Sequence, residues 1–550
     1  MPPEHSRRRF LGTTAAVGAL TGTALLGDLF RGDSPSLADP LVGSAPAFTE
    51  VPVTLDDTVT VPPGHTARAL LPWGTPLRAG SPPWRPDAGN SAEEAARQVG
   101  TGHSGIGYLP LHPGHAGNRR GLLVLTHPRA DRVLLHTDGG RADDAARTAK
   151  EMASLGVTIA RVELLDGRWR VLDDELNHRL TGDSPTTPNG PLAGHPALDT
   201  GTDPAEVLGG TGQATTPWGT CLTAAVPVGH HHLDLFDPDL APDEVRRFGW
   251  TVEVDPFDPD SAPVKRTALG RMAHHGATVA ESRGRAVVYM CDGSHLYKFV
   301  AAHLWRERLR DRDSGPLAEG VLYTARLGSS GSGSWSPLVH GESGLGEDDG
   351  FADQADVLLR AREAAEAVDA TRLRGPGAPV VHPVTGAVYL PEVDEQGGGR
   401  ILSLAEGAGD HGAGLFSWRE STRTEAPPGG LHCGSDGRLW IHTDTTRITD
   451  PREWERAGNS ALLCADPDGA EVRRFLTGPR GCAIAGVATT PDRRTLFVTV
   501  RNPGSATEHL GEPTVDDPRA VSNWPGFDPR GRPRSAVVVV RRDDGGVIGT

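Results

Sequence analysis

The sequence predicts an all-β chain, propeller-like, with inserted short helices and long loops. Two observations carry this reading. With 70 Gly and 46 Pro among 550 residues, breakers and turn formers come too often for long helices and suit short strands joined by turns. One local grammar also recurs at 284–290, 385–390, 436–443, 491–500 and 536–540: a Gly- or Asp-bearing turn beside a run of branched and aromatic residues. Each such unit reads as a turn joined to a half-buried strand, and its loose return every several tens of residues is the texture of propeller blades rather than of a sandwich.

In chain order, residues 1–38 differ in kind from the rest. Arg7, Arg8 and Arg9 precede Phe10-Leu11, an apolar stretch diluted with Gly and Thr over 13–26, and the small residues Ser36 and Ala38. This is the pattern of a Tat signal peptide cleaved after Ala38, so the protein is expected outside the cytoplasm, extracellular or in the cell envelope. The apolar stretch falls short of the ~20 strongly apolar residues of a spanning helix, and no membrane span is expected after signal removal. Residues 39–90 read as an N-terminal extension and 91–550 as the propeller domain. Short helices are expected at 91–99, opened by Ser91-Ala92-Glu93-Glu94, at 142–155, and at 353–368, where Val357, Leu358 and Ala361 share a face. The stretch 181–204, dense in Pro, Gly, Thr and Asp, reads as a surface loop.

Charge narrows the partners. Lys and Arg total 55 against 71 Asp and Glu, a net charge of −16, which repels a nucleic-acid backbone. A small-molecule or phosphate-containing ligand is the expected partner class, and a monomer the expected state. The five cysteines, Cys221, Cys291, Cys433, Cys464 and Cys482, form no C-x-x-C pair; they read as small buried thiols, with one disulfide left open.

Six motifs then carry a family resemblance: Gly107-Tyr108-Leu109-Pro110-Leu111, Thr216-Pro217-Trp218-Gly219-Thr220, the segment from Gly249-Trp250 to Pro259, the segment from Val264 to Arg271, Leu296-Tyr297-Lys298-Phe299-Val300 and Gly437-Arg438-Leu439-Trp440-Ile441. In kind and order the chain resembles the PhoX family of Tat-exported alkaline phosphatases from about Gln98 to Thr550. The resemblance implies a six-bladed propeller carrying an iron and calcium cluster held by carboxylates and one thiolate.

The ligand positions that the resemblance implies are largely replaced. Gly210-Thr211 stand where the family has Asn-Cys, Ala225-Val226 where it has two acids, and His274-His275 where it has His-Glu. Thr126-His127-Pro128 replace Asn-His-Glu, Gly375-Pro376-Gly377 replace Arg-Pro-Glu, and Ser104 replaces an Asp. Pro428-Gly429-Gly430-Leu431, Cys482-Ala483-Ile484-Ala485 and Arg501-Asn502-Pro503-Gly504 lose further acids and a Gln-His pair, while Asp444 is retained. Cations confined without carboxylates leave uncompensated charge, so the iron and calcium cluster is not expected.

Two functional classes follow. One is a non-catalytic binding or structural protein with a degenerate site. The other is a metal-dependent phosphomonoesterase with a rewired site, holding a single transition metal through imidazole; its candidate ligands are His103, His127, His274, His275 and Asp292, with His295 beside them. Against it, His274 and His275 also read as a polar strand end, and Asp292 and Asp444 as turn caps. The run His230-His231-His232 cannot converge on one ion from an extended strand, because alternate side chains point to opposite faces.

Overall fold

The computed structural model describes residues 45–550 except 141–144, 199–211, 225–245, 247, 310–314, 396, 467–468 and 470. The Tat-like segment lies outside the described residues, as do Gly210-Thr211, Ala225-Val226 and His230–His232.

Hairpins build the fold. Strands Gly276–Ser282 and Arg285–Cys291 join through Arg283 and Gly284, whose φ of 50 and 81 supply the two left-handed residues of a type I′ turn. Asp166 and Gly167, at φ 48 and 75, join Gly156–Leu165 to Arg168–Val171 in the same way.

The strands form sheets that follow one another along the chain. The first holds Ile106–Pro110, Arg120–His127, Gly156–Leu165 and Arg168–Val171 in that order. The second runs Gln213–Thr215, Cys221–Ala224, Thr251–Val254 and Val264–Arg266, with Thr187–Asn189 added parallel at its edge. Next comes a nine-stranded sheet that is two antiparallel units joined edge to edge, where Ser332–Pro337 pairs with Leu415–Thr424. One unit is led by Gly276–Ser282 and the other by Val380–Val381. Pro428–Cys433 leads a four-stranded sheet, and Ala483–Thr489 leads the last. Each leading strand packs on the next and the last packs on the first, which closes a ring. The architecture is therefore all-β and propeller-like, as the sequence predicts.

The last sheet is completed from the other end of the chain. Strand His65–Leu70 lies antiparallel on Ala536–Arg542, in register from His65 opposite Arg542 to Leu70 opposite Val537. The stretch read as an extension thus contributes an outer strand to the propeller.

The core lies between sheets, because both faces of a strand are covered. Along Arg285–Cys291, Ala286, Val288 and Met290 enter one hydrophobic cluster while Val287 and Tyr289 enter another; the twofold alternation of a strand sends them to opposite neighbours. Likewise Leu496, Val498 and Val500 face one side of their strand and Phe497 the other.

The family-like motifs turn out to be packing devices. Buried Glu253 accepts hydrogen bonds from Trp218 Nε1 at 2.7 Å and Thr220 Oγ1 at 2.5 Å, and pairs with Arg266 Nε at 2.7 Å. Three motifs meet at that one carboxylate. Lys298, from another, lies over the Trp335 ring at 4.4 Å and donates to Glu406 Oε1 at 3.1 Å, linking the halves of the nine-stranded sheet.

Helices are short and local. Ser91 and Glu94 form a capping box, yet the helix covers only Ala92–Ala95. Val99 then donates to Thr75 O and accepts from Gly74 N, so the segment peels away to pair with 74–77 and the expected helix over 91–99 ends early. The second helix spans Ala145–Ser154. The third divides into Gln354–Leu359 and Ala361–Ala367 at Arg360, whose φ −113 and ψ 37 leave helical geometry. No helix among the described residues is long and apolar enough to cross a membrane. All five cysteines are free, four of them buried.

Around the axis, neighbouring leading segments touch main chain to main chain. A Cβ at Gly486 would sit 2.4 Å from Ser104 O, the carbonyl that also accepts from Thr499 Oγ1 at 2.6 Å. Gly486→Ala therefore pushes the last sheet off the first and is expected to cost about 1–3 kcal/mol, the usual range for overpacking. The check is the denaturant midpoint; a wild-type midpoint would mean that the main chain yields at no cost.

Candidate functional site

One end of the ring collects the positions of chemical interest. Leading strands begin there at Ile106, Gln213, Gly276, Val380, Pro428 and Ala483, and the strands after them end there at His127, Ala224, Cys291, Val393, Thr443 and Arg501. Antiparallel hairpins put these starts and ends side by side.

His103 and His127 are brought together on the first sheet, ring centroids 4.9 Å apart and nearly perpendicular. Every ring nitrogen is engaged. His103 Nδ1 lies 2.8 Å from Ser535 Oγ and Nε2 lies 2.9 Å from Leu71 O. His127 Nδ1 lies 3.0 Å from Thr101 O and Nε2 lies 2.7 Å from Thr158 Oγ1. Burial lowers the His103 pKa to about 3, and burial together with Arg179 holds that of His127 well below the ordinary value. Both are neutral at pH 7.

The other candidates lie on the unit led by Gly276–Ser282. His274 is fully buried, with Nε2 3.2 Å from Gly270 O and Thr251 Oγ1 3.4 Å from Nδ1; burial lowers its pKa to about 4. His275 is half-buried, its main-chain N–H donating to Cys291 O at 2.9 Å and its ring packing beside Gly293. Asp292 Oδ1 accepts from the N–H groups of Ser294 and His295 at 2.8 and 2.6 Å, and Oδ2 accepts from Tyr297 OH at 2.9 Å. His295 Nδ1 lies 3.5 Å from the same Oδ2. Asp292 thus holds its own hairpin turn. The Cys291 thiol donates to Gly377 O at 2.9 Å, and burial raises its pKa.

The fit to a metal cluster can be judged on these donors. Hard cations require several anionic oxygens on one centre. Among the described residues no three His, Cys, Asp or Glu side chains are grouped to hold a metal ion. The His103–His127 pair and the His274–Asp292 group sit on different sheets.

Basic side chains gather at one part of this end. Asp444 Oδ2 pairs with Arg501 Nη2 at 3.0 Å, while Oδ1 caps the turn at Thr446. Arg447 follows on that same turn, and Arg129 follows His127 at the end of its strand. Below them His442 Nδ1 lies 3.1 Å from Ile484 O, and burial lowers its pKa to about 3. In sequence Arg501 registers only as a replaced Gln, and nothing singles out Arg129 or Arg447. The signal that would have found them is their shared place at or just beyond strand ends, which only the ring makes visible.

Comparison with known proteins bears directly on this arrangement. The family model "Alkaline phosphatase PhoX" matches residues 46–504. The solved structure of Pseudomonas fluorescens PhoX in complex with vanadate, a transition state analogue, is 32% identical, covering 92% of this chain and 99% of that one with a TM-score of 0.81. The RRP9 WD40 repeats (9% identity, 81% of this chain and 96% of that one, TM-score 0.32) and the periplasmic gluconolactonase of Pseudomonas aeruginosa (11%, 73% and 81%, 0.29) are too remote to carry an argument. No curated protein matches significantly. The ring, the ordered motifs and the match over nearly the whole described chain agree: this protein belongs to the PhoX alkaline phosphatase family.

Proposed function

We propose that the protein is an exported six-bladed member of the PhoX family whose metal site is degenerate, and that it serves as a non-catalytic binding or structural protein. The six leading strands, each packed on the next, support the blade count. The Arg-Arg-Phe-Leu start and the small residues before position 39 support Tat export.

One observation carries the degenerate reading. Asp444, an acid retained at the mouth, is neutralised by Arg501 at 3.0 Å, so a guanidinium stands where a cation would be needed. At the other replaced positions Ser104, Gly377, Gly430, Ala483 and Ala485 carry no carboxylate or imidazole of their own. Metal-promoted attack on a phosphoester needs cations to activate the nucleophile and to offset charge on the transferring group. The donors present do not supply their ligands.

The rewired phosphomonoesterase is favoured by one feature, the juxtaposition of His103 and His127. Metal content of the exported protein, measured with hydrolysis of 4-nitrophenyl phosphate, decides between the two. The expected result is substoichiometric iron, calcium and zinc, and turnover at the level of the buffer. Bound metal with turnover that chelation abolishes would overturn the degenerate reading.

A further inference from the structure

We propose that a cavity between the unit led by Val380–Val381 and the sheet led by Pro428–Cys433 is a binding site for a zwitterion with an apolar body, an amino acid or a short peptide. The site goes beyond the reading of the mouth given above. None of its lining residues lies on a leading strand, and turnover of a phosphoester at the mouth would leave it untouched.

Four parts of the chain supply the walls. Strands Ala461–Ala465 and Val472–Thr477 contribute Ala461, Leu463, Val472 and Arg474, with Leu463 directly opposite Arg474 in the register; residues two apart on a strand share a face. The end of Leu415–Thr424 and its continuation contribute 423–426, helix Pro451–Ala457 contributes Arg456 and Ala457, and the early segment contributes Glu50 and Val53. That segment is tied down, for Val51 N–H donates to Arg474 O at 2.9 Å and Asn459 N–H to Thr54 O at 3.0 Å. A Cβ at Gly458, whose φ is 69, would lie 2.6 Å from Val53 Cγ1, so the helix end and the segment meet closely. The cavity holds ≈ 530 Å³, within the range of about 300–1,000 Å³ for small-molecule sites.

Most polar groups on the lining already have partners. Arg423 is held by Glu420 through Nε at 2.7 Å and Nη2 at 3.0 Å, and Glu50 Oε1 accepts from Arg474 N–H at 3.1 Å. The Thr424 and Thr443 hydroxyls donate to Ala426 O and Ala461 O at 2.8 and 3.2 Å. Three groups are left over. Arg474 donates from Nη1 to Val51 O at 3.3 Å, but its buried Nε finds no acceptor in the chain, a rare state for a buried N–H. Arg456 and Glu425 are exposed and make no hydrogen bond or ion pair among the described residues. Two guanidiniums and one carboxylate call for a ligand that carries both signs: a carboxylate for the arginines and an ammonium for Glu425. Val53, which is 41% exposed, offers apolar contact together with Leu463 and Val472. A dianion fits this set badly, because three arginines against two glutamates leave the lining one positive charge and Glu425 would repel it.

Calorimetric titration of the full chain tests this with leucine, leucyl-leucine and three analogues: N-acetylleucine, which lacks the ammonium, leucinamide, which lacks the carboxylate, and glycine, which lacks the apolar body. One saturable site per chain is expected for leucine or the dipeptide, and the tighter of the two assigns the ligand to free amino acids or to peptides. Each analogue should bind at least tenfold more weakly. Arg456→Gln and Glu425→Gln, at exposed residues without partners, should each weaken binding at least tenfold while leaving the ligand-free melting temperature unchanged. Glu425→Gln should also erase the preference for leucine over N-acetylleucine. No saturable binding of either zwitterion, an analogue that binds as tightly, or wild-type affinity in either variant would each overturn the proposal.

Discussion

Lowering the pH from 7 to 5 is expected to unfold this protein far more steeply than an ordinary globular domain. His103, His127, His274 and His442 are all buried, and burial depresses each: to about 3 for His103 and His442, to about 4 for His274, and well below the ordinary value for His127. Above pH 6.5 these rings are neutral folded and unfolded, so they add no pH dependence. Below it the unfolded chain takes up protons that the native state refuses, and stability falls as pH drops from 6.5 towards the folded values. Each group removes up to about 1.4 kcal/mol per pH unit in that window. Four together approach ~5 kcal/mol per unit, against a typical total of about 5–15 kcal/mol. Denaturant melts at pH 7.5, 6.0 and 5.0 provide the check. These four rings alone are expected to contribute proton uptake near four on unfolding at pH 5; a stability flat from 7.5 to 5.0 would show that the rings are protonated without penalty.

Replacing Glu253 by Gln should have the largest effect of any single polar substitution. Its carboxylate holds Arg266, Trp218 and Thr220 in a region closed to water. Burial alone would raise its pKa, but Arg266 and the hydrogen bonds keep it below the ordinary value, so it is ionised when folded. The Gln variant takes the Glu253 carboxylate away from the buried Arg266, which keeps its hydrogen bond to Asn189 Oδ1 at 2.6 Å. Breaking a buried pair from one side costs about 3–5 kcal/mol. The expected outcome is a large fall in the denaturant midpoint, partly recovered by Glu253→Gln with Arg266→Met, which removes the other half of the pair. A single variant that melts like the wild type would mean that water reaches the pair.

The strand pattern was legible in the sequence because two covered faces leave a simple mark. Runs such as 496–500 and 536–540 are apolar or β-branched at nearly every position, as a strand between two neighbouring sheets must be. The motifs that suggest the family proved informative for the same reason. Trp218, Glu253, Arg266 and Lys298 are tied to packing between strands, and packing constrains residue type at fixed spacing. What the sequence hid depends on distant segments. The short helix at 92–95 gives way to a pairing with 74–77 that no local propensity announces. The partners of His103, which are Ser535 and Leu71, stand far from it in the chain. The same holds for the three arginines at the mouth, whose kinship is a matter of ring geometry alone. Substitutions could be counted at the vacated positions, but that Arg501 now neutralises Asp444 could not be read from either residue.

The antiparallel pairing of His65–Leu70 with Ala536–Arg542 also sets a timetable for biosynthesis. Thr66 and Asp543, hydrogen-bonded at 2.6 Å, are 477 residues apart, so an early-translated strand must wait unpartnered while nearly everything between them is made. Contacts of such long separation form slowly and leave an open edge exposed in the interim. The nascent chain is therefore a natural client for chaperones that shield strand edges, and quality control has a single late event to inspect: whether the two ends have met.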